Sequence, residues 1–321
     1  MVNDVKLGRR ALPFLAAPAL AQPGAPERAI RLAIPFTPGG STGIIGRVGA
    51  QRLGALLGQT VVVENRPGAG GTIGSDAVAK APADGHTLLM GHIGTLAVNP
   101  GLYPRLPYDP LHAFAPICLV CTVANFLAVT NSLAAHSMAE FLALARADPG
   151  GIAYGSGGNG SATHIAVSAL QEAAGVRFTH VPYRGTGPMM TDLIAGQLQM
   201  TMTGGPPALP PIRAGQLRAL GVSSLRPVPA APAIPAIADT VPGFEALQWY
   251  GLVGPAGMPM AAVARINAAI HTMLAEPQTR ARLEPEAADP APGTPEAFAA
   301  LVVAEQARWG ALIRRAGVRA E

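Results

Sequence analysis

The chain alternates short apolar runs with longer segments whose apolar residues recur at helical spacing. The run Ile30–Phe36 has the length of a buried strand, and Ile45–Leu57 has helical spacing before Gly58, a common helix-ending residue. Short runs at Thr60–Glu64 and His86–Met90 continue the alternation, with a further helical segment between them. Strands that alternate with helices predict a parallel sheet, with ligands expected where strands end in loops.

The middle of the chain repeats this pattern. A capping box at Ser137–Glu140 opens a helix. Strands and helices then alternate over residues 152–154, 165–174, 177–183, 189–195 and 199–203. The run Ala115–Val129 is long enough for two extended segments interrupted near Ala124 and Asn125, and there we predict a crossing between domains. Arg218–Ser223 is predicted to return the chain to the first domain.

The C-terminal hundred residues are predicted to complete the first domain. The segment 225–244 is punctuated by prolines and cannot form a regular helix, whereas Glu245–Gly254 has the composition of a strand. Helices are predicted to begin at Pro259 and at Thr294. The segment 99–114, rich in Pro and Tyr, is predicted to be an irregular connecting loop.

These elements predict an α/β protein with two lobes, joined by more than one strand, and a ligand cleft between them. The predicted division assigns residues 22–123 and 222–321 to the first domain and 124–221 to the second. A chain of 321 residues that is 49% hydrophobic is long enough for two such cores. The net charge is only +4 and no Lys/Arg cluster is present, so a nucleic-acid role has little electrostatic support.

Residues 1–21 have the features of an export signal. Lys6, Arg9 and Arg10 precede a short apolar segment, which ends in the small-x-small sequence Ala19-Leu20-Ala21. The adjacent arginines resemble a twin-arginine signal, so both general and twin-arginine export stay open. No later run reaches the roughly 18 apolar residues of a membrane span. We therefore expect a mature protein that begins at Gln22 and is located in the periplasm.

Two cysteines, Cys118 and Cys121, have the C-x-x-C spacing of some redox and zinc sites. Both lie in an apolar run of strand composition, without a second pair of ligands or a following helix start. The sequence favours two buried thiols over a functional site.

Two glycine- and hydroxyl-rich loops each separate a predicted strand from a predicted helix. They are Thr37–Thr42, where Ser41 or Thr42 is expected to cap the helix, and Ser156–Ser161. The first N–H groups of a helix lack internal acceptors and form the positive end of its dipole. If the two lobes close on each other, these donors can converge on one anionic group such as a carboxylate.

The residues also leave an enzymatic alternative open. Gly155, Gly157 and Gly160 match G-x-G-x-x-G between a strand and a helix, and Arg184 could suit a 2′-phosphate, so an NADP-dependent enzyme is the second hypothesis. A single glycine motif is weak support for it. His164 has no G-x-S-x-G elbow or orienting acid near it, and the glycine loops contain no carboxylates for acid–base catalysis or a divalent metal. We therefore expect no catalytic residues, no metal and no cofactor.

Eight segments, in this order, resemble the Bug family of extracytoplasmic solute receptors, the TctC-type component of tripartite tricarboxylate transporters. The resemblance extends from about Ala29 to Val318. It implies the type II architecture of periplasmic binding proteins, which close around small carboxylates. The segments are PFTPGGSTGIIGR, VVVENRPGAGGTIG, PADGHTLLMG, NPGLYPRLPYDP, YGSGGNGSATH, HVPYRGTGPMMTDLIAGQ, IRAGQLRALGVSS and GLVGPAGMP.

The resemblance implies that the ligand carboxylate is held between the loops Thr37–Thr42 and Ser156–Ser161. Implied partners are a small organic carboxylate and the integral membrane subunits of a transporter, with the receptor itself a monomer; a ligand sensor that signals to a membrane partner stays open. The complete predicted ligand-binding set is Phe36, Thr37, Gly39, Gly40, Ser41, Thr42, His92, Thr95, Ser156, Gly157, Asn159, Gly160, Ser161 and Tyr183.

One residue departs from the family pattern. The family usually has PGGxxD, and this chain has Gly43 in place of the acid. Without that carboxylate an ammonium group loses a counter-charge, so we expect a ligand without an amino group.

Overall fold

The computed structural model describes residues 28–318, and the predicted export signal at 1–21 lies outside them. The strands are β1 (Ile30–Ile34), β2 (Val61–Asn65), β3 (Thr87–His92), β4 (Phe114–Thr130), β5 (Ala153–Ser156), β6 (Thr179–Pro182), β7 (Met200–Gly204), β8 (Leu217–Val222), β9 (Leu247–Pro255) and β10 (Ala288–Pro290). The helices are α1 (Ser41–Leu57), α2 (Thr72–Ala79), α3 (Asn99–Leu102), α4 (Met138–Ala147), α5 (Ala162–Ala174), α6 (Thr186–Ile194), α7 (Gly205–Arg213), α8 (Met260–Ala275), α9 (Pro277–Leu283) and α10 (Pro295–Ala316).

The strands follow the order β2-β1-β3-β9-β4-β7-β5-β6, and β8 and β10 also pair with β4. Strands β1, β2 and β3 are parallel, as are β5, β6 and β7. The predicted parallel pairing is confirmed for β1, β2 and β3, whereas β9 runs antiparallel to both β3 and β4, and β4 runs antiparallel to β7. A chain that passes from one lobe to the other and returns produces these antiparallel pairs.

Strand β4 is common to the two lobes. Residues Phe114–Ala124 pair with β9, whereas Asn125–Thr130 pair with β7 and β8. The predicted interruption is wrong: the strand is continuous over 17 residues, and only its partners change at the predicted crossing. Strand β8 pairs with Phe126–Thr130 of β4, and the return of the chain to the first domain within Arg218–Ser223 stays a prediction.

The residues at the two ends of several helices act as the sequence predicts. Gly58 and Gly175 end α1 and α5 with left-handed φ values of 65° and 63°, a conformation in which glycine carries no Cβ penalty. Ser137 caps α4 by accepting from the N–H of Glu140, whose carboxylate accepts from the N–H of His136 at 2.7 Å.

Helical structure also occurs in segments whose sequence carries no clear helical pattern. The segment 94–102, part of which was predicted to be irregular, forms a short π-helical segment followed by α3. Helix α7 contains Pro210 and Pro211, and α9 follows α8 directly. No helix among residues 28–318 is long and apolar enough to cross a bilayer. Cys118 and Cys121 are both buried.

Candidate functional site

A cavity of about 50 Å³ lies between the two lobes, at the ends of their strands. None of the described residues that line it is Asp, Glu, Lys or Arg. The lining residues are Phe36, Thr37, Gly40, Ser41, Thr42 and His92 from the first lobe, Gly157, Ser161, Ala162, Thr163, Gly185, Thr186 and Thr203 from the second, and Gln248 and Tyr250 from β9. The site therefore presents neutral donors and acceptors.

Helix α1 begins at this cavity. Its N-cap is Gly40, which has no side-chain oxygen, so the prediction that Ser41 or Thr42 caps the helix is wrong. The carbonyl of Gly40 accepts from the N–H groups of Gly43 and Ile44. The N–H groups of Ser41 and Thr42 lie in the first turn and have no helical acceptor, so they are available to a ligand.

The second lobe contributes two more helix N-termini. Ser161 caps α5 by accepting from the N–H of His164, which leaves the N–H groups of Ala162 and Thr163 without helical acceptors. Helix α6 begins at Thr186 after Gly185, again without a side-chain cap. Three positive dipole ends therefore meet at a cavity without a full cation, and this arrangement suits an anion.

The lobes are in contact on both sides of the cavity. On one side Gly40 lies beside Thr186, since a Cβ on Gly40 would be 3.6 Å from Thr186 Oγ1, and Thr37 packs against Gly185. On the other side Gly160 packs against Leu102, and its carbonyl lies next to Gly94. The two lobes therefore touch across the cleft in this structure.

His92 lies in the cavity wall as a neutral ring. Burial lowers its pKa to about 3, and Nδ1 accepts from the N–H of Gly94 at 2.9 Å. The ring hydrogen is therefore on Nε2, which makes His92 a donor. The ring packs edge-on against Phe36 at 4.8 Å between centroids and lies 5.5 Å from Tyr250.

Eight of the predicted site residues line the cavity: Phe36, Thr37, Gly40, Ser41, Thr42, His92, Gly157 and Ser161. The other predicted residues are not among those that line it: Gly39, Thr95, Ser156, Asn159, Gly160 and Tyr183.

Three of the residues outside the cavity wall make hydrogen bonds to neighbouring residues of the same lobe. Thr95 accepts from the N–H of His92 and donates to its carbonyl, which fixes this histidine. Ser156 is buried, with its hydroxyl 2.6 Å from His180 Nε2. The Tyr183 hydroxyl donates to Asp192 at 2.6 Å.

A stack of aromatic rings supports the second-lobe loop from behind. The rings of His164 and His180 are 4.0 Å apart, and Tyr154 stacks on His180 at 4.8 Å. Burial lowers the pKa of His164 to about 3 and that of His180 to about 4. His164 Nδ1 accepts from the N–H of Gly160 at 3.1 Å, so this stack positions the loop. No cluster of metal-ligand residues occurs among residues 28–318.

Sequence reasoning missed seven lining residues: Ala162, Thr163, Gly185, Thr186, Thr203, Gln248 and Tyr250. One signal was present, because Gly185-Thr186 repeats the pattern of a glycine and a hydroxyl at the start of a helix. Gln248 and Tyr250 are two apart on a strand and share a face, but no local pattern tells which face meets the cleft.

A protein-family model matches residues 45–318; its description is "TctC: Tripartite tricarboxylate transporter family receptor". The chain is 40% identical over 290 residues to a UPF0065 protein of Pseudomonas sp. (strain P51), encoded in the tcbD-tcbE intergenic region, which covers 90% of this chain and 86% of that protein. It is 34% identical over 312 residues to protein BugT of Bordetella pertussis, with 95% and 96% covered.

Solved structures agree with this match. Rpa4515 of R. palustris with adipate has a TM-score of 0.88 at 35% identity, covering 92% of this chain and 99% of that one. The periplasmic binding protein BugD has a TM-score of 0.86 at 33% identity, covering 92% and 100%. MatC (Rpa3494) of Rhodopseudomonas palustris with bound malate has a TM-score of 0.82 at 31% identity, covering 90% and 99%.

Proposed function

Because the chain belongs to the TctC family of tripartite tricarboxylate transporter receptors, we propose that its cavity binds one carboxylate group of a small organic acid between the two lobes. Members of this family are periplasmic solute receptors and not enzymes. The alternative of an NADP-dependent enzyme at Gly155–Gly160 is therefore wrong.

The observation that carries the proposal is the meeting of α1, α5 and α6 N-termini at one uncharged cavity. A carboxylate there accepts from N–H groups of both lobes, so binding and closure occur together. Micromolar affinity requires roughly −8 kcal/mol. Several hydrogen bonds to a charged group, at about 1.5–3 kcal/mol each, supply this after the cost of ordering.

The proposal includes delivery of the bound acid to integral membrane transporter subunits by a monomeric receptor. Export to the periplasm is proposed to depend on the signal at residues 1–21.

The ligand is proposed to lack an amino group. The guanidinium of Arg47 lies beside Gly43, where it donates to the Gly43 carbonyl at 3.0 Å. The same guanidinium bonds Asn65, whose amide donates to the carbonyl of Phe36 at 2.7 Å. Arg47 therefore places a positive charge beside this end of α1, which favours anions and disfavours ammonium groups.

Calorimetric titration with a panel of mono-, di- and hydroxycarboxylates, and with aspartate and glutamate as amino acids, tests the proposal. We expect at least one carboxylate to bind at micromolar concentration and more tightly than either amino acid. Ala162→Pro removes one N–H at the first position of α5, where proline fits a helix and the extended Ser161 suits a following proline. It should weaken binding at least about tenfold.

The matched control is Met138→Pro, at the first position of α4 after an extended Ser137 and outside the cavity. It should leave the affinity unchanged. Failure of every carboxylate to bind, or equal binding by the Ala162→Pro variant, would reject the proposed function.

A further inference from the structure

A series of buried hydrogen bonds leads to the cavity from the point where β4 passes between the lobes. It begins at Asn125, which is buried and is not among the residues that line the cavity. Asn125 Nδ2 donates to the carbonyl of Ala246 at 2.6 Å, and Asn125 Oδ1 accepts from Gln248 Nε2. Gln248 lines the cavity, and its Oε1 accepts from the hydroxyl of Tyr250.

The orientation of the Gln248 amide follows from these bonds. A backbone carbonyl can only accept, so the NH₂ group of Asn125 faces Ala246 and its oxygen faces Gln248. Only the NH₂ group of Gln248 can donate to that oxygen, so this amide cannot turn over without breaking the bond. Tyr250 adds a second constraint, because its hydroxyl donates to the oxygen of the same amide. Both ends of the Gln248 amide are therefore fixed.

The NH₂ group of Gln248 lies near the first turn of α1. Gln248 Nε2 and Ser41 Oγ are 3.2 Å and 2.6 Å from the point that a Cβ on Gly204 would occupy. An amide NH₂ group has two hydrogens, and the described residues provide one acceptor for them, Asn125 Oδ1. The second hydrogen is therefore available to a ligand next to the N–H groups of α1.

We infer that Gln248 donates this N–H to the bound carboxylate, and that Asn125 is the positioning residue that keeps the donor end of the amide toward it. This rests on the proposed binding of the carboxylate at the helix N-termini. The two ends of a glutamine amide have nearly the same shape, so packing alone does not select between them. With its oxygen toward the carboxylate, Gln248 would place acceptor against acceptor. Asn125 excludes that orientation from outside the cavity.

A double-mutant cycle tests the inference, by calorimetric titration of the full protein with acetate, propionate, lactate, succinate and malate. Asn125→Leu removes the acceptor that fixes Gln248, and Gln248→Met removes the donor. For the acid that the wild type binds most tightly, each variant should bind about tenfold or more weakly, as expected for the loss of one hydrogen bond to a charged group. The double variant should bind no more weakly than Gln248→Met alone, because Asn125 acts through Gln248.

Ser223→Ala is the matched control. Ser223 is buried at the same crossing, where it accepts from the N–H of Asn125 at 2.8 Å and donates to the carbonyl of Ala246 at 2.7 Å. It is not among the residues that line the cavity, and it makes no bond to Gln248 in the described structure. This variant should have a lower melting temperature than the wild type and an unchanged affinity.

Losses of affinity that add in the double variant would overturn the inference, because they would show that Asn125 does not act through Gln248. Wild-type affinity in either single variant, with thermal melting showing a folded protein, would also overturn it. Both outcomes leave the carboxylate proposal intact. Gln248→Met keeps Asn125 and carries the test alone if Asn125→Leu does not fold. Failure of the wild type to bind any of these acids would reject both proposals.

Discussion

Single glycines set how closely the lobes approach. Gly160 has a φ of 72°, and a Cβ on it would collide with Leu102 of the other lobe. Gly175 has a similar φ of 63°, but a Cβ there meets no atom within 4 Å. The two positions share the cost of a left-handed alanine, roughly 1 kcal/mol. Only at Gly160 would the added methyl group also meet a residue of the other lobe.

Gly160→Ala is therefore predicted to weaken carboxylate binding about tenfold or more, because the lobes cannot reach the closed contact. Both variants should have a lower melting temperature than the wild type, and Gly175→Ala should leave the carboxylate affinity unchanged. Thermal melting and calorimetric titration of both variants measure these two quantities. A Gly160→Ala protein with wild-type affinity would show that the contact with Leu102 does not limit closure.

At the scale of secondary-structure elements, N-cap residues contribute to the stability of the fold and, at the cavity, to the proposed carboxylate binding. Ser161 caps α5 inside the cavity wall, and Ser137 caps α4 outside it. Each Ser→Ala change should cost about 1 kcal/mol of unfolding free energy. Only Ser161→Ala is predicted also to weaken carboxylate binding, by a few-fold to tenfold, because Ser161 lines the cavity and its hydroxyl holds the first turn of α5 there.

Denaturant unfolding and titration of these two variants separate the effects. An equal loss of affinity in the Ser137→Ala variant would mean that helix stability, and not local geometry, controls binding.

Local patterns predict elements better than they predict a site assembled from distant elements. Gly58, Gly175 and Ser137 act through their immediate neighbours, so the sequence is enough to place these helix ends. The contributions of Gln248 and Tyr250 depend on the pairing of β9 with β4, more than a hundred residues away, which no local pattern encodes. The cap of α1 was misassigned because Gly40, Ser41 and Thr42 are all acceptable N-caps.

At the scale of the whole molecule, the buried His92 and His164 and the half-buried His180 couple stability to pH. Burial lowers the pKa values of His92 and His164 to about 3 and that of His180 to about 4, against 6.5 for an exposed ring. Between these values and 6.5 the unfolded chain binds more protons than the folded one. The unfolding free energy must therefore fall as the pH is lowered from about 6.5 toward 4.

The contribution of each histidine to this slope is at most about 1.4 kcal/mol per pH unit. Denaturant unfolding at pH 7, 5.5 and 4.5 measures it. His180→Gln should reduce the slope. A slope that His180→Gln does not alter would place the linkage in other groups, such as the Asp84 carboxyl, whose pKa is lowered chiefly by its bond to the His86 N–H.

Strand β4 limits how this protein can be divided into separately expressed fragments. Its first eleven residues, Phe114–Ala124, need β9 as a partner, and Asn125–Thr130 need β7 and β8. Any fragment that isolates one lobe leaves part of this apolar strand without its hydrogen-bond partners, as an edge prone to self-association. Neither lobe is therefore expected to fold when it is expressed alone. A split reporter should be inserted in a surface turn and not at the boundary between the lobes.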